Sequence, residues 1–244
     1  MTILKAQPLK QLMTQLPGVP LTMRDLRAAR VSPQLAYSYV KNGWLARVGR
    51  GVFVRPGAPL DLRASLRALQ DSGYRFHIGG RTALAWYGIR HHLRRKERVT
   101  LYGVTDIRLP AWLTSNFDVE YHRNRLFKER GWQQRAVSRF EDRLDEPFVS
   151  EPERAVLEML SEVPQRQSLE EARALMQSLS TLRPAVLQQL LVTCSSVKTV
   201  RLFLTLSREL QHPFLSQLSE KKLPMGGKSR WVLRSKDTTL VLKR

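Results

Sequence analysis

Residues 32–57, SPQLAYSYVKNGWLARVGRGVFVRPG, constrain the fold more than any other stretch of the chain. Ser32 before Pro33 is a helix start, with serine as N-cap and proline at the first helical position, where its missing N–H costs nothing. The helix is predicted to run to about Asn42, and Gly43 suits the site just beyond its end. Two short apolar runs, at Trp44–Val48 and Val52–Val54, then flank Gly49-Arg50-Gly51. Glycine accepts the positive φ that a tight turn demands, so the pattern is a β-hairpin with an arginine at its tip.

Upstream, Thr22 with Asp25 three residues on reads as a capping box. It opens a short helix whose Met23, Leu26 and Ala29 face inward. Leu4, Leu9, Leu12, Met13 and Leu16 recur at roughly helical spacing ahead of Pro17-Gly18 and predict a first helix. In the helix after Ser32, Leu35, Ala36, Tyr39 and Val40 form an apolar stripe, and Gln34, Tyr37, Ser38 and Lys41 fall on the opposite side. That polar side holds no acid. A carboxylate there would repel phosphate, whereas Gln, Ser, Tyr and Lys suit base edges and backbone oxygens. Helix, short turn, helix and hairpin is the order of a winged helix-turn-helix, in which the second helix enters the major groove and the hairpin lies beside it. Arg50 then has an anion to meet, a phosphate or the negative potential of a narrow minor groove. The expected DNA-contacting set is Thr22, Ser32, Gln34, Tyr37, Ser38, Lys41, Arg47, Arg50 and Arg55. Winged helices also dock proteins; the charge described next favours nucleic acid.

The chain carries 41 Lys and Arg against 21 Asp and Glu, a net charge of +20. Such an excess implies a polyanionic partner. Residues 1–56 hold nine bases and one acid, Asp25. Residues 101–150 are balanced and 151–197 slightly acidic, whereas 198–244 hold eleven bases and three acids. Lys221, Lys222, Lys228, Arg230, Arg234 and Lys236 cluster near that end and form a possible second basic face. No apolar run is long enough to span a bilayer, no cleavable leader is evident, and the single cysteine, Cys194, fits a reducing cytoplasm.

Pro56-Gly57-Ala58-Pro59 reads as a linker between a winged helix-turn-helix at 1–57 and a larger mixed α/β domain at 58–244. Helices are expected around Leu62–Leu69, Arg81–Tyr87, Glu153–Leu160, Leu169–Leu179, Pro184–Val192 and Val200–Leu210. Strands are expected at Val99–Tyr102, Phe117–Tyr121, Trp231–Leu233 and Thr239–Leu242.

The stretches YVKNGWLARVGRGVFVRPG (39–57), HIGGRTALAWYGI (77–89), VSEPERAVLEML (149–160) and VKTVRLFL (197–204) together resemble the AbiEi family, antitoxins of type IV toxin–antitoxin systems linked to abortive phage infection. The resemblance implies an N-terminal winged helix that represses its own operon at inverted repeats in double-stranded DNA. It also implies a C-terminal domain that opposes a nucleotidyltransferase-like toxin without a stable complex. Matching that winged helix puts Gln34, Tyr37, Ser38 and Lys41 on the recognition helix and Arg50 on the wing.

No catalytic, cofactor or metal site is expected. His77, His91 and His92 lack the cysteines or carboxylates that metal sites add at set spacing. Asp106, Asp118 and Glu120, the last two alternating on the expected strand, could serve a nuclease that uses the winged helix for specificity; this is the alternative. His122 stands where a restriction-type site would place lysine, however. Arg154, amid Glu151, Glu153 and Glu158, reads as part of an internal ion-pair network. Cys194 has no basic immediate neighbour to activate it, and Gly226-Gly227-Lys228 is too short for a phosphate loop.

Overall fold

The computed structural model describes residues 18–90, 98–128, 135–227, 231–234 and 239–242. The helix expected at Leu4–Leu16 lies outside them, as do His91 and His92. The chain divides into two compact units. One gathers Met1–Arg75, Ile107–Val119 and Arg139–Pro147; the other gathers Phe76–Asp106, Glu120–Ser138 and Phe148–Arg244.

The first unit opens with β1 (Leu21–Thr22), α1 (Met23–Ala28) and α2 (Pro33–Lys41), followed by β2 (Ala46–Gly49) and β3 (Val52–Val54). The order in its sheet is β1-β3-β2, antiparallel throughout. Leu21, Leu26, Val31, Ala36, Tyr39, Leu45 and Phe53 form one core, with Met23, Ala29, Leu35 and Val40 packed against it. The inward faces expected of both helices are therefore the observed ones. Each fully buried leucine in such a core contributes ~1.5–3 kcal/mol. Next, α3 (Leu62–Asp71) buries Leu66 and Leu69 and starts at Asp61, whose carboxylate accepts from Ala64 N at 2.7 Å. The remaining pieces are α5 (Ala111–Asn116) and a 3-10 turn (Phe140–Asp142). The Arg63 guanidinium lies over the Phe140 ring, 4.6 Å from its centre, and Arg139 pairs with Asp71 at 3.0 Å.

The second unit is built on a five-stranded sheet in the order β6-β5-β4-β8-β7. Its strands are β4 (His77–Ile78), β5 (Val99–Gly103), β6 (Val119–Arg123), β7 (Val137–Arg139) and β8 (Phe148–Ser150). β4 runs antiparallel to β5 and parallel to β8. The helices are α4 (Gly80–Trp86), α6 (Pro152–Ser161), α7 (Leu169–Gln177), α8 (Pro184–Thr193) and α9 (Val197–Glu209), and a final hairpin pairs β9 (Trp231–Arg234) with β10 (Thr239–Leu242). The architecture is mixed α/β, as expected. Several elements differ from expectation, the short strands β1, β4, β7 and β8 among them. α5 was not foreseen, and the strand expected at Phe117–Tyr121 begins at Val119, because Phe117 caps α5.

Glu158, on α6, holds the centre of this unit. Its carboxylate is buried and accepts from Gly80 N at 3.1 Å, Ser150 Oγ at 2.8 Å and Arg154 Nε at 2.8 Å, with His77 Nε2 2.8 Å away. Those partners come from β4, α4, β8 and α6. Gly79 permits this approach, since a Cβ there would lie 2.2 Å from Glu158 Oε2 and 2.6 Å from Tyr102 Cδ2. The expected internal network around Arg154 is present, split in two. Arg154 takes Glu158, while Glu151 and Glu153 pair with Arg183.

Burial pushes the Glu158 pKa up, but the neighbouring His77 and Arg154 outweigh it and hold the group at about 2 against an ordinary 4.5. A depressed carboxylate contributes stability that is present above its unfolded pKa and lost as pH falls through the folded one. Stability should therefore decline from about pH 4.5 toward pH 2. Glu158→Gln should flatten that acid limb, and Glu158→Ala should cost about 3–5 kcal/mol at neutral pH by leaving Arg154 buried without its carboxylate. Thermal and urea melts across pH check both; a melt of Glu158→Ala indistinguishable from the parent would remove the carboxylate from this role.

Candidate nucleic-acid interface

The exposed side of α2 is set by its start and its end. Ser32 Oγ accepts from Leu35 N at 3.2 Å, and Pro33 occupies the first turn. Burial of Ala36 and Tyr39 then turns Gln34, Tyr37, Ser38 and Lys41 to solvent, with Tyr37 72% exposed. Asn42 Nδ2 donates to Ser38 Oγ at 3.4 Å. At the far end Trp44 stacks flat on Tyr39, with ring centres 5.7 Å apart, and fixes the exit of the chain into the hairpin.

In the hairpin, Ala46 pairs with Val54 and Arg47 with Phe53, and a bulge then aligns Gly49 with Val52. Arg50 and Gly51 (φ +69°) form the turn, so the arginine stands exposed at the tip. The Gly51 carbonyl accepts from Met23 N at 2.9 Å, which ties the wing to the start of α1. Arg47 is exposed on β2, its Nε donating to Gly49 O at 3.2 Å, and Arg55 is exposed just past β3. Behind the wing sits Trp112 of α5, which sequence reasoning missed. A Cβ on Gly49 would come within 3.0 Å of its Nε1. The two residues are 63 positions apart, and no local pattern announces the contact.

Thr22 is placed differently from expectation. It is buried, 4% exposed, and its hydroxyl accepts from Asp25 N at 3.2 Å and donates to Asp25 Oδ2 at 2.7 Å. The capping box is complete. The residue that starts α1 is thus committed to the helix and is not presented to a ligand.

The charges around α2 and the wing are distinctive. Arg24, Arg27, Arg30, Lys41, Arg47, Arg50 and Arg55 form no ion pair among the described residues, and the nearby acid, Asp25, is consumed by its cap. Elsewhere arginines are neutralised: Arg67 by Asp71 at 2.8 Å, Arg81 by Glu171 at 3.0 Å, Arg166 by Glu162 at 3.0 Å and Arg173 by Glu209 at 2.9 Å. Of the possible second basic face, Lys221 and Lys222 are exposed on a 3-10 turn and Arg234 ends β9; Lys228, Arg230 and Lys236 lie outside the described residues.

Residues 96–243 match the family described as "Transcriptional regulator, AbiEi antitoxin, Type IV TA system", and residues 5–95 match "Transcriptional regulator, AbiEi antitoxin N-terminal domain". The chain belongs to the AbiEi antitoxin family. No protein of curated function matches its sequence. Among solved structures, the RV2827C protein from Mycobacterium tuberculosis is similar in fold, with a TM-score of 0.55 at 15% identity over 93% of this chain and 88% of that one.

In this AbiEi chain the other candidate residues have structural partners. His77 is buried against Glu158. Asp118 precedes β6 instead of sharing it with Glu120, whose carboxylate is approached by Arg98, Thr100 and His122, each at 3.4 Å. Among the described residues no three His, Cys, Asp or Glu side chains group closely enough to hold a metal ion, and no helix is long and apolar enough to cross a membrane. Burial pushes the Cys194 thiol up to about 11, far from the range of a reactive thiolate.

The position of Thr22 is testable. Thr22→Ala should cost about 1 kcal/mol of stability by removing an N-cap. It should leave the salt dependence of DNA binding unchanged, as read by thermal melts and fluorescence anisotropy side by side. A flatter salt dependence at unchanged stability would return Thr22 to the interface.

Proposed function

We propose that this AbiEi chain binds double-stranded DNA at inverted repeats in its own operator and represses that operon. We also propose that it counteracts a nucleotidyltransferase-like toxin in the cytoplasm without a stable complex, and that it uses no cofactor, metal or catalytic step. The observation that carries the DNA reading is the set of unpaired cations around α2 and the wing. Unpaired cations repel one another and gain little from the fold, so their energy is recovered only against an external polyanion. The acid-free, exposed face of Gln34, Tyr37, Ser38 and Lys41 supports α2 as the element read against base edges.

In this reading residues 1–57 select the site. Arg47, Arg50 and Arg55 contribute phosphate contacts, while Ser32 fixes the start of the reading helix. The basic cluster of Lys221, Lys222, Lys228, Arg230, Arg234 and Lys236 adds sequence-independent, salt-sensitive affinity. Opposition to the toxin rests on family membership, since no side-chain arrangement described above identifies how it is achieved.

Intact protein and promoter DNA test the reading directly. Arg50→Ala should weaken binding to every duplex and flatten the slope of log K against log salt by about one unit. Gln34→Ala or Ser38→Ala should cost roughly 1–3 kcal/mol on the operator and spare random duplex. Absence of salt-dependent binding by the parent protein would sink the DNA reading, and metal-dependent cutting of a plasmid would favour the nuclease instead.

A further inference from the structure

The ends of α1, α2, α3 and α4 share one geometry, and α1 differs from the other three in a telling way. At the end of α2, Gly43 N donates to Val40 O at 3.1 Å and Trp44 N to Tyr39 O at 2.8 Å. At the end of α3, Gly73 N donates to Gln70 O and Tyr74 N to Leu69 O; at the end of α4, Gly88 N donates to Ala85 O and Ile89 N to Leu84 O. Each is the paired five-to-two and six-to-one closure of a Schellman cap, with a left-handed residue at its centre. In these three the centre is glycine, with φ of +71°, +100° and +81°.

The end of α1 has the same closure. Arg30 N donates to Arg27 O at 2.9 Å and Val31 N to Leu26 O at 2.8 Å, and Val31 and Leu26 meet in the core as the cap requires. Its centre, however, is Arg30, at φ +60°. Among the described residues of 18–75 it is the one non-glycine with positive φ; Gln211, ending α9 in the other unit, is the comparable case there. A side chain with a Cβ is disfavoured in this conformation, and glycine is the default. The Arg30 guanidinium offsets nothing of that cost within the fold, since it is exposed and makes no hydrogen bond or ion pair among the described residues.

We infer that Arg30 is a phosphate-contacting residue of the helix-turn-helix, kept at a glycine position for what its guanidinium does outside the protein. The inference rests on the DNA reading above. In a helix-turn-helix the first helix crosses the sugar–phosphate backbone while the N-terminal residues of the second contact base edges. The turn between them passes beside the backbone, and Arg30 lies three residues before Pro33, where α2 begins. Guanidinium is the group that engages a phosphate through two parallel N–H donors.

The strained position makes the test sharp, because affinity and stability should move in different directions. Arg30→Gly in the full-length protein should leave the Tm unchanged or raised, since glycine is the favoured residue at such a cap. The same variant should bind operator and random DNA more weakly, with a slope of log K against log salt flatter by about 0.9. Arg30→Lys, which keeps the charge, should retain the slope. Parent-like affinity and slope in Arg30→Gly, or a lowered Tm, overturns the assignment and leaves Arg30 a surface or structural residue. If Arg50→Ala flattens the slope and Arg30→Gly does not, only the role of Arg30 fails. If the parent shows no salt-dependent binding, the DNA reading itself fails.

Discussion

A carboxylate taken wholly out of water has to be surrounded before it can be tolerated, and Glu158 organises the larger unit around that requirement. An isolated buried charge costs far more than a domain can spare. Here the cost is met by a guanidinium, an imidazole, a hydroxyl and a backbone N–H. Each donor comes from a different stretch of chain, so satisfying one side chain fixes a central strand, the start of α4, the end of β8 and the first turns of α6 relative to one another. The motif stretches around His77, Gly79-Gly80 and Ser150–Glu158 are distant in sequence but form this single site. Their partners there are accounted for by packing and charge satisfaction.

Two regions of the chain handle charge in opposite ways. Around Glu158 and along Arg183, each cation is matched to a carboxylate within hydrogen-bonding reach. Around α2 and the wing, seven cations face one acid that is already bonded to its own helix start. Surface pairs contribute little to stability, so the second pattern costs the fold only mild repulsion. What it creates is a field directed outward, falling off over ~8–10 Å at physiological salt. A fold of few strands and short helices carries this field on elements held by an apolar core, helix caps and backbone hydrogen bonds.

Much of this was readable in the sequence, where punctuation is local and strong. Ser32-Pro33, Gly43 and Gly49-Arg50-Gly51 announce α2 and the wing, because each residue type has a conformational preference that needs no tertiary help. Elements of two or three residues, such as His77–Ile78 and Phe148–Ser150, are too short to show an alternating pattern. The six-residue helix Ala111–Asn116 spans too few turns to show a stripe. Of the candidate interface, the exposed faces and the capping box at Thr22 were legible, and the burial of Thr22 was not. Thr22 has the composition of a contact residue and the burial of a cap. The packing of Trp112 behind Gly49 depends on a chain path with no sequence signature. Arg30 looks like any surface arginine until its φ is known.

That chain path has a consequence for how the molecule is made. The wing-bearing unit is assembled from three separate pieces, the last ending at Pro147. Translation proceeds at ~5–20 residues per second, so the final piece emerges on the order of ten seconds after the first. During that interval α2 and the wing exist as a nascent segment without α5 behind Gly49 and without Arg139 on Asp71. The finished surface needs a chain translated at least as far as Pro147. Ribosome-bound fragments that already display the basic hairpin would lack the brace that sets its pose.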